Sequence, residues 1–152
     1  MSRLSLLLMC LCLCLVACGQ YPRDAHDSSG RAKDALRVGL SHDPPYVIAT
    51  GVTPRGSEVE LIEAFARAHR LRVDWVVGGH DTLMQALLDH RLHMIAGGHS
   101  DASPWGDVSW SRTYHVDDAR GRPAARRLAL PPGENAWQLE VDRFLHARDR
   151  SR

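Results

Sequence analysis

Ordered alternation of apolar and polar positions begins at "LRVGL", where Leu36, Val38 and Leu40 alternate with Arg37 and Gly39 as a short strand requires. The next apolar pattern has a different period. In "RGSEVELIEAFARAHRL", Leu61, Ile62, Phe65 and Ala68 fall on one helical stripe, and Ser57 with Glu60 has the spacing of a capping box, so a helix is expected from Ser57 to near His69. "LRVDWVV", Leu71 to Val77, returns to strand periodicity. "GGHD" then supplies a turn before a second helix that starts at Asp81 or Thr82, with Gln85 placed to complete its cap and Leu83, Met84, Leu87 and Leu88 as its apolar face. "LHMIAGG" is a third strand with a glycine exit.

Strand, helix, strand, helix, strand with short connections predicts an α/β layer: a parallel sheet joined by right-handed crossovers and covered by helices. Ligands of such sheets gather beyond the carboxyl ends of the strands. Those ends are "SHDPPY", with a proline pair that enforces an extended turn, and "GGHSDASPW". Further along, "RRLALPP" has the pattern of an added strand, and Trp137, Val141, Phe144 and Leu145 form the stripe of a last helix, Asn135 to about Ala147.

Two segments lack anything to bury. Gly19 to Ala35 is polar and reads as a tether, and residues 116–126, "VDDARGRPAAR", read as a spacer of charges, Ala, Gly and Pro. Ahead of the tether, an unbroken apolar run from Leu6 to Ala17 follows Arg3 and is too short for a permanent membrane helix, which makes it a secretion leader. Leu15-Val16-Ala17-Cys18 resembles a bacterial lipobox, so cleavage before Cys18 and its lipidation are expected. The protein would then be periplasmic and anchored by its N-terminal lipid.

Composition narrows the function classes. A length of 152 residues fits one domain, and 19 basic against 18 acidic side chains, interspersed, disfavour nucleic acid as a partner. All four cysteines, 10, 12, 14 and 18, lie in or at the end of the leader, so the folded part has none for a disulfide or a zinc site. Among nine histidines the tightest group is His90, His93 and His99; His90 ends a helix and His93 opens a strand, which turns their rings apart, and no metal or cofactor is expected. Catalysis has one candidate acid–base pair, Asp43 with His99, and the chain carries no nucleophile motif or phosphate loop; an enzyme is not expected.

The ordered motifs "LRVGLSHDPPYV", "GSEVELIEAFARAHRLRVDWV", "TLMQALLDHRLHMIAGG" and "VSWSRTYH" resemble, in this sequence order, the bacterial extracellular solute-binding proteins of family 3, which serve amino-acid ABC transporters. The resemblance runs from Leu36 to about His115 and resumes in "LALPPGENAWQLEVDRFL". It implies a periplasmic-binding-protein-like type II architecture reduced to one three-layer lobe, built from residues 36–115 and 127–147. The spacer stands where the second lobe is inserted in those proteins. It also implies a small polar, amino-acid-like solute, a membrane permease or sensor as partner, and a homodimer as one way to replace the missing wall. The arginine with which the family grips an α-carboxylate is replaced by Pro104, and Arg112 is expected to face solvent. What remains is a half-pocket of Asp43, Tyr46, His99, Ser100 and Trp105 with the backbone N–H groups of Gly97 and Gly98. For such a half-site only weak solute binding is expected; the runner-up readings are a docking or sensor-interaction lipoprotein and a periplasmic enzyme on the same fold.

Overall fold

The computed structural model describes residues 24–100 and 103–150. The elements follow in the order α1 (Ser28–Asp34), β1 (Leu36–Leu40), α2 (Ser57–His69), β2 (Val73–Val77), α3 (His80–Leu88), β3 (Met94–Ala96), β4 (Ser109–Trp110), β5 (Tyr114–Asp117), β6 (Pro123–Arg126), β7 (Ala129–Leu130) and α4 (Asn135–Asp149). The main sheet has the order β2-β1-β3-β7-β4. Its first three strands are parallel, with Leu36 to Leu40 opposite Val73 to Val77 and Val38 opposite Met94. β7 enters antiparallel, pairing Ile95 with Ala129, and β4 closes the edge against it.

Period-two alternation assigns the side chains to two faces. Leu36, Val38, Leu40, Met94 and Leu130 join α2 and α4 in one core cluster, with Ile62, Phe65, Trp137, Val141 and Leu145 all buried there. Ile95 and Ala129 point the other way, onto Leu83, Met84 and Leu87 of α3. The result is a three-layer α/β lobe in which the final helix packs on the sheet begun at Leu36, as its apolar stripe requires. Trp137 fixes that packing by donating its indole N–H to the His93 carbonyl at 2.7 Å inside the core.

Several local expectations are corrected. α2 has no capping box: Gly56 is its N-cap and Ser57 Oγ makes no hydrogen bond among the described residues. Gly56 holds that place because its φ is 123° and a Cβ there would meet the Tyr46 carbonyl oxygen at 2.2 Å. The α2 stripe uses Ala66, whereas Ala68 is exposed. α3 begins one residue early, at His80 after Gly79, and has no side-chain cap.

The segment expected as a tether is ordered from Asp24 onward and contains α1. Asp24 accepts from the N–H groups of Ala136 and Trp137 at 2.9 and 3.0 Å, while Glu134 accepts from those of His26 and Ser28 at 2.9 and 2.8 Å. Each segment thus caps the other's helix start. Backbone N–H donors outweigh the cost of burying Glu134 and hold its carboxyl below the usual range. A sequence scan misses this because the partners are more than 100 positions apart.

The presumed spacer is instead a β-hairpin. Tyr114 to Asp117 pairs with Arg126 to Pro123, and the turn is closed by Gly121 N–H donating to the Asp118 carbonyl at 3.0 Å. The Asp118 carboxylate accepts from the N–H groups of Arg120 and Arg122, at 2.8 and 2.9 Å. Residues 1–23, which include the expected leader and Cys18, lie outside the described residues, and among those described no helix is long and apolar enough to cross a membrane.

Candidate functional site

The carboxyl ends of β1 and β3 lie side by side and continue into two loops that touch each other. Past β1, Asp43 and Val47 exchange backbone hydrogen bonds of 2.8 and 2.9 Å, so Pro44-Pro45-Tyr46 is a tight loop with Asp43 at its base. Past β3 comes Gly97, whose φ is 93° and where a Cβ would lie 2.0 Å from the Ser41 carbonyl oxygen; only glycine lets the two loops approach this closely. The N–H of Gly97 donates to Glu58 Oε2 and that of Gly98 to Asp43 Oδ2, both at 2.8 Å.

These two carboxylates converge on Arg126, the last residue of β6. Its Nε donates to Glu58 Oε1 at 3.0 Å, its Nη2 donates to Asp43 Oδ2, and its guanidinium carbon lies 4.1 Å from the centroid of the Tyr46 ring. Tyr114 on β5 donates its hydroxyl to Glu58 Oε1 at 2.7 Å. Glu58 is wholly buried and the Arg126 side chain is 9% exposed. Burial alone would lower the Arg126 pKa, but Glu58 and then Asp43 outweigh it and the net shift is upward, so the guanidinium stays charged. Burial beside the Glu58 carboxylate pushes the Tyr114 phenol well up, which keeps it a donor.

The structure therefore brings together Asp43, Tyr46, Gly97 and Gly98 of the expected half-pocket. His99 is placed differently: it is fully buried, 5.0 Å from Trp110 and 5.1 Å from His80 between ring centroids, and neither of its ring nitrogens has a hydrogen-bond partner among the described residues. Desolvation, then His80 and Arg126, lowers its pKa to about 3, so it is neutral at physiological pH. Asp43 is engaged by Gly98 and Arg126, and the acid–base pair suggested with His99 is not formed. Ser100 and Pro104 are exposed, and Trp105 is half-buried 6.3 Å from the His80 ring. Arg112 is exposed, as expected; its backbone N–H donates to Asp142 at 2.7 Å and its carbonyl accepts from the Ser111 hydroxyl at 2.9 Å.

The histidines disperse. His90 stacks on His26 at 3.6 Å, and His93 lies buried, accepting from Arg37 N–H at 2.9 Å. No group of three His, Cys, Asp or Glu side chains among the described residues could hold a metal ion.

Sequence reasoning missed Glu58, Tyr114 and Arg126. Glu58 looked like an ordinary first-turn acid of α2, and Arg126 like one charge of the spacer. One signal was available: "DARG" has Asp and Gly at the first and last positions of a type I turn, and ahead of it Tyr114 and Val116 alternate with His115 and Asp117, as in one arm of a hairpin.

No protein-family model and no curated protein matches the sequence. Solved structures do. A point mutant of arginine-bound domain 1 of TmArgBP superposes with a TM-score of 0.67 at 22% identity, covering 83% of this chain and 99% of that one. The fold is that of domain 1 of a periplasmic amino-acid-binding protein. A Salmonella typhimurium periplasmic binding protein described as highly specific for arginine gives 0.63 at 10% identity, over 76% of this chain and 93% of that one. The ancestral amino-acid-binding protein AncCDT-1, described as a precursor of cyclohexadienyl dehydratase, gives 0.63 at 12% identity, over 80% and 92%. The single-lobe expectation is met: domain 1 alone accounts for nearly all of the first match.

Proposed function

We propose that this protein is a lipid-anchored periplasmic lobe of the solute-binding type, serving ABC transport of amino acids or similar small polar solutes, and that it binds free solute weakly. The observation that carries the reading is the coincidence of fold and site. A lone domain 1 with the same fold is known in an arginine-bound form, and here Asp43, Tyr46 and Gly97–Gly98 stand at the strand ends where ligands of such sheets lie. The sequence supports the anchor through Leu15-Val16-Ala17-Cys18. A permease or sensor in the membrane is the partner this placement calls for, and a second copy could close the open side.

Weak binding follows from the walls that are occupied or absent. Pro104 supplies no guanidinium for an α-carboxylate, and Arg126 is already neutralised by Glu58 and Asp43. A clamshell buries roughly 70 to 90% of a ligand, whereas one lobe leaves its contacts in water, where each hydrogen bond adds only about 0.5 to 1.5 kcal/mol. Amino acids should therefore bind at millimolar concentrations or weaker. Calorimetry on the full-length protein in detergent, paired with sedimentation, tests this; micromolar binding of an amino acid by a monomer refutes it. Mass spectrometry of membrane fractions should find Cys18 as the acylated first residue, and a soluble product starting elsewhere defeats the anchor.

The paired carboxylates, filled from within, favour one second reading: a lobe that docks on its membrane partner without carrying solute. Co-purification of that partner in solute-free buffer distinguishes it.

A further inference from the structure

The contacts of Arg126 have the form of a receptor for its own side chain. A guanidinium is recognised by a flat aromatic face and by acceptors set around its edge, and a planar fork uses both where a compact ammonium cannot. Asp43 and Glu58 supply the acceptors from two different elements, the loop after β1 and the first turn of α2, and Tyr46 supplies the face. Glu58 is also held by Gly97 N–H at Oε2 and by the Tyr114 hydroxyl at Oε1, and Asp43 by Gly98 N–H at Oδ2, so the carboxylates are oriented by the lobe. The location is the one at which the fold collects ligands, beyond the carboxyl ends of β1 and β3. The cation itself arrives from β6, the strand after the Asp118–Gly121 turn, at the point where the second lobe would be inserted.

We infer that Arg126 is a built-in ligand: its guanidinium fills a cation site formed by Asp43, Glu58 and Tyr46, a site that selects guanidinium-bearing solutes and is closed to them while Arg126 occupies it. The inference builds on the reading of these loops as the solute-facing site. An ordinary surface ion pair would not need the aromatic face, the burial or the three further donors that orient the carboxylates. The hairpin thus does in one chain what a solute and a second lobe would do together: it brings a cation over the carboxylates and shields them from water.

The test is chemical rescue. Full-length Arg126→Ala should melt at a lower temperature than the wild type. Methylguanidine at millimolar concentrations should restore most of the loss, and methylammonium at the same concentrations should not. The wild type should respond to neither. Adding Tyr46→Ala to Arg126→Ala should abolish the rescue. A folded Arg126→Ala protein indifferent to methylguanidine, or rescued equally by methylammonium, overturns the inference. Should the variant not fold alone, refolding yield with and without methylguanidine is the readout, and a yield that methylguanidine leaves unchanged overturns it equally. Rescue by methylguanidine without response to arginine or any other amino acid upholds the built-in ligand and sinks the amino-acid reading of the site. Micromolar binding of an arginine-type solute by the wild-type monomer does the reverse.

Discussion

The segment from Leu36 to Ala96 and the hairpin from Tyr114 to Arg126 are held in place by different physics. In the first, three parallel strands and two helices are specified by local period: Leu36, Val38 and Leu40 face one core cluster, and Leu83, Met84 and Leu87 belong to the other. The hairpin has little to bury apart from Tyr114 and Val116. It is fixed by a turn and by charges, with Arg126 reaching Asp43 and Glu58, 83 and 68 positions away in the chain. Hydrophobic burial is non-directional and can be read from one segment, whereas an ion pair needs a partner whose position only the fold supplies.

The largest effect should come from removing the cover of the first region. Truncation after Pro132 deletes α4, with Trp137, Val141 and Leu145, and also Glu134, which caps the chain ahead of α1. Cooperative thermal unfolding should disappear; an unchanged midpoint would show that the sheet does not depend on this helix.

Next is the junction between the two regions. Glu58→Ala leaves Arg126 with one carboxylate and removes the acceptor of both the Tyr114 hydroxyl and Gly97 N–H. Breaking a buried pair in this way should cost about 3 to 5 kcal/mol in denaturant unfolding. A loss within experimental error would mean that the hairpin is held by its turn alone.

Acid should separate the regions more gently. His93 and His99 are both buried, and their pKa values fall from 6.5 to about 4 and about 3, first through desolvation, then through Arg31 for His93 and His80 for His99. The folded state therefore binds these protons later than the unfolded chain does. Stability should be flat above pH 6.5 and decline as pH falls from there toward 4, by on the order of a few kcal/mol. His99→Phe should flatten part of that slope; a slope unaffected by both His99→Phe and His93→Phe places the titration elsewhere.

The smallest effect belongs to the turn. Asp118 is held by Arg120 N–H, Arg122 N–H and the Arg122 side chain, and its carboxyl lies below the usual range chiefly through the Arg122 backbone bond. Asp118→Ala should lower the melting midpoint slightly and leave the Arg126 contacts intact. A large drop would mean that the turn, more than the carboxylates, positions the hairpin.

The sequence by itself determined the elements whose signal is periodic: β1 to β3, α2, α3 and α4, their α/β layering, and the placement of Asp43, Tyr46, Gly97 and Gly98 at the ends of adjacent strands. Each depends on spacing within a few turns or residues, which the chain encodes locally. Only tertiary structure decided that Gly56, not Ser57, caps α2, because the Tyr46 carbonyl occupies the space a side chain would need. It alone turned a presumed tether into α1, through Asp24 and Glu134, and a presumed spacer into a hairpin. It also moved His99 from a candidate binding residue into the core and put Arg126 in the site. Charges and short polar stretches carry no period, and the meaning of each depends on what the fold brings within about 3 Å of it.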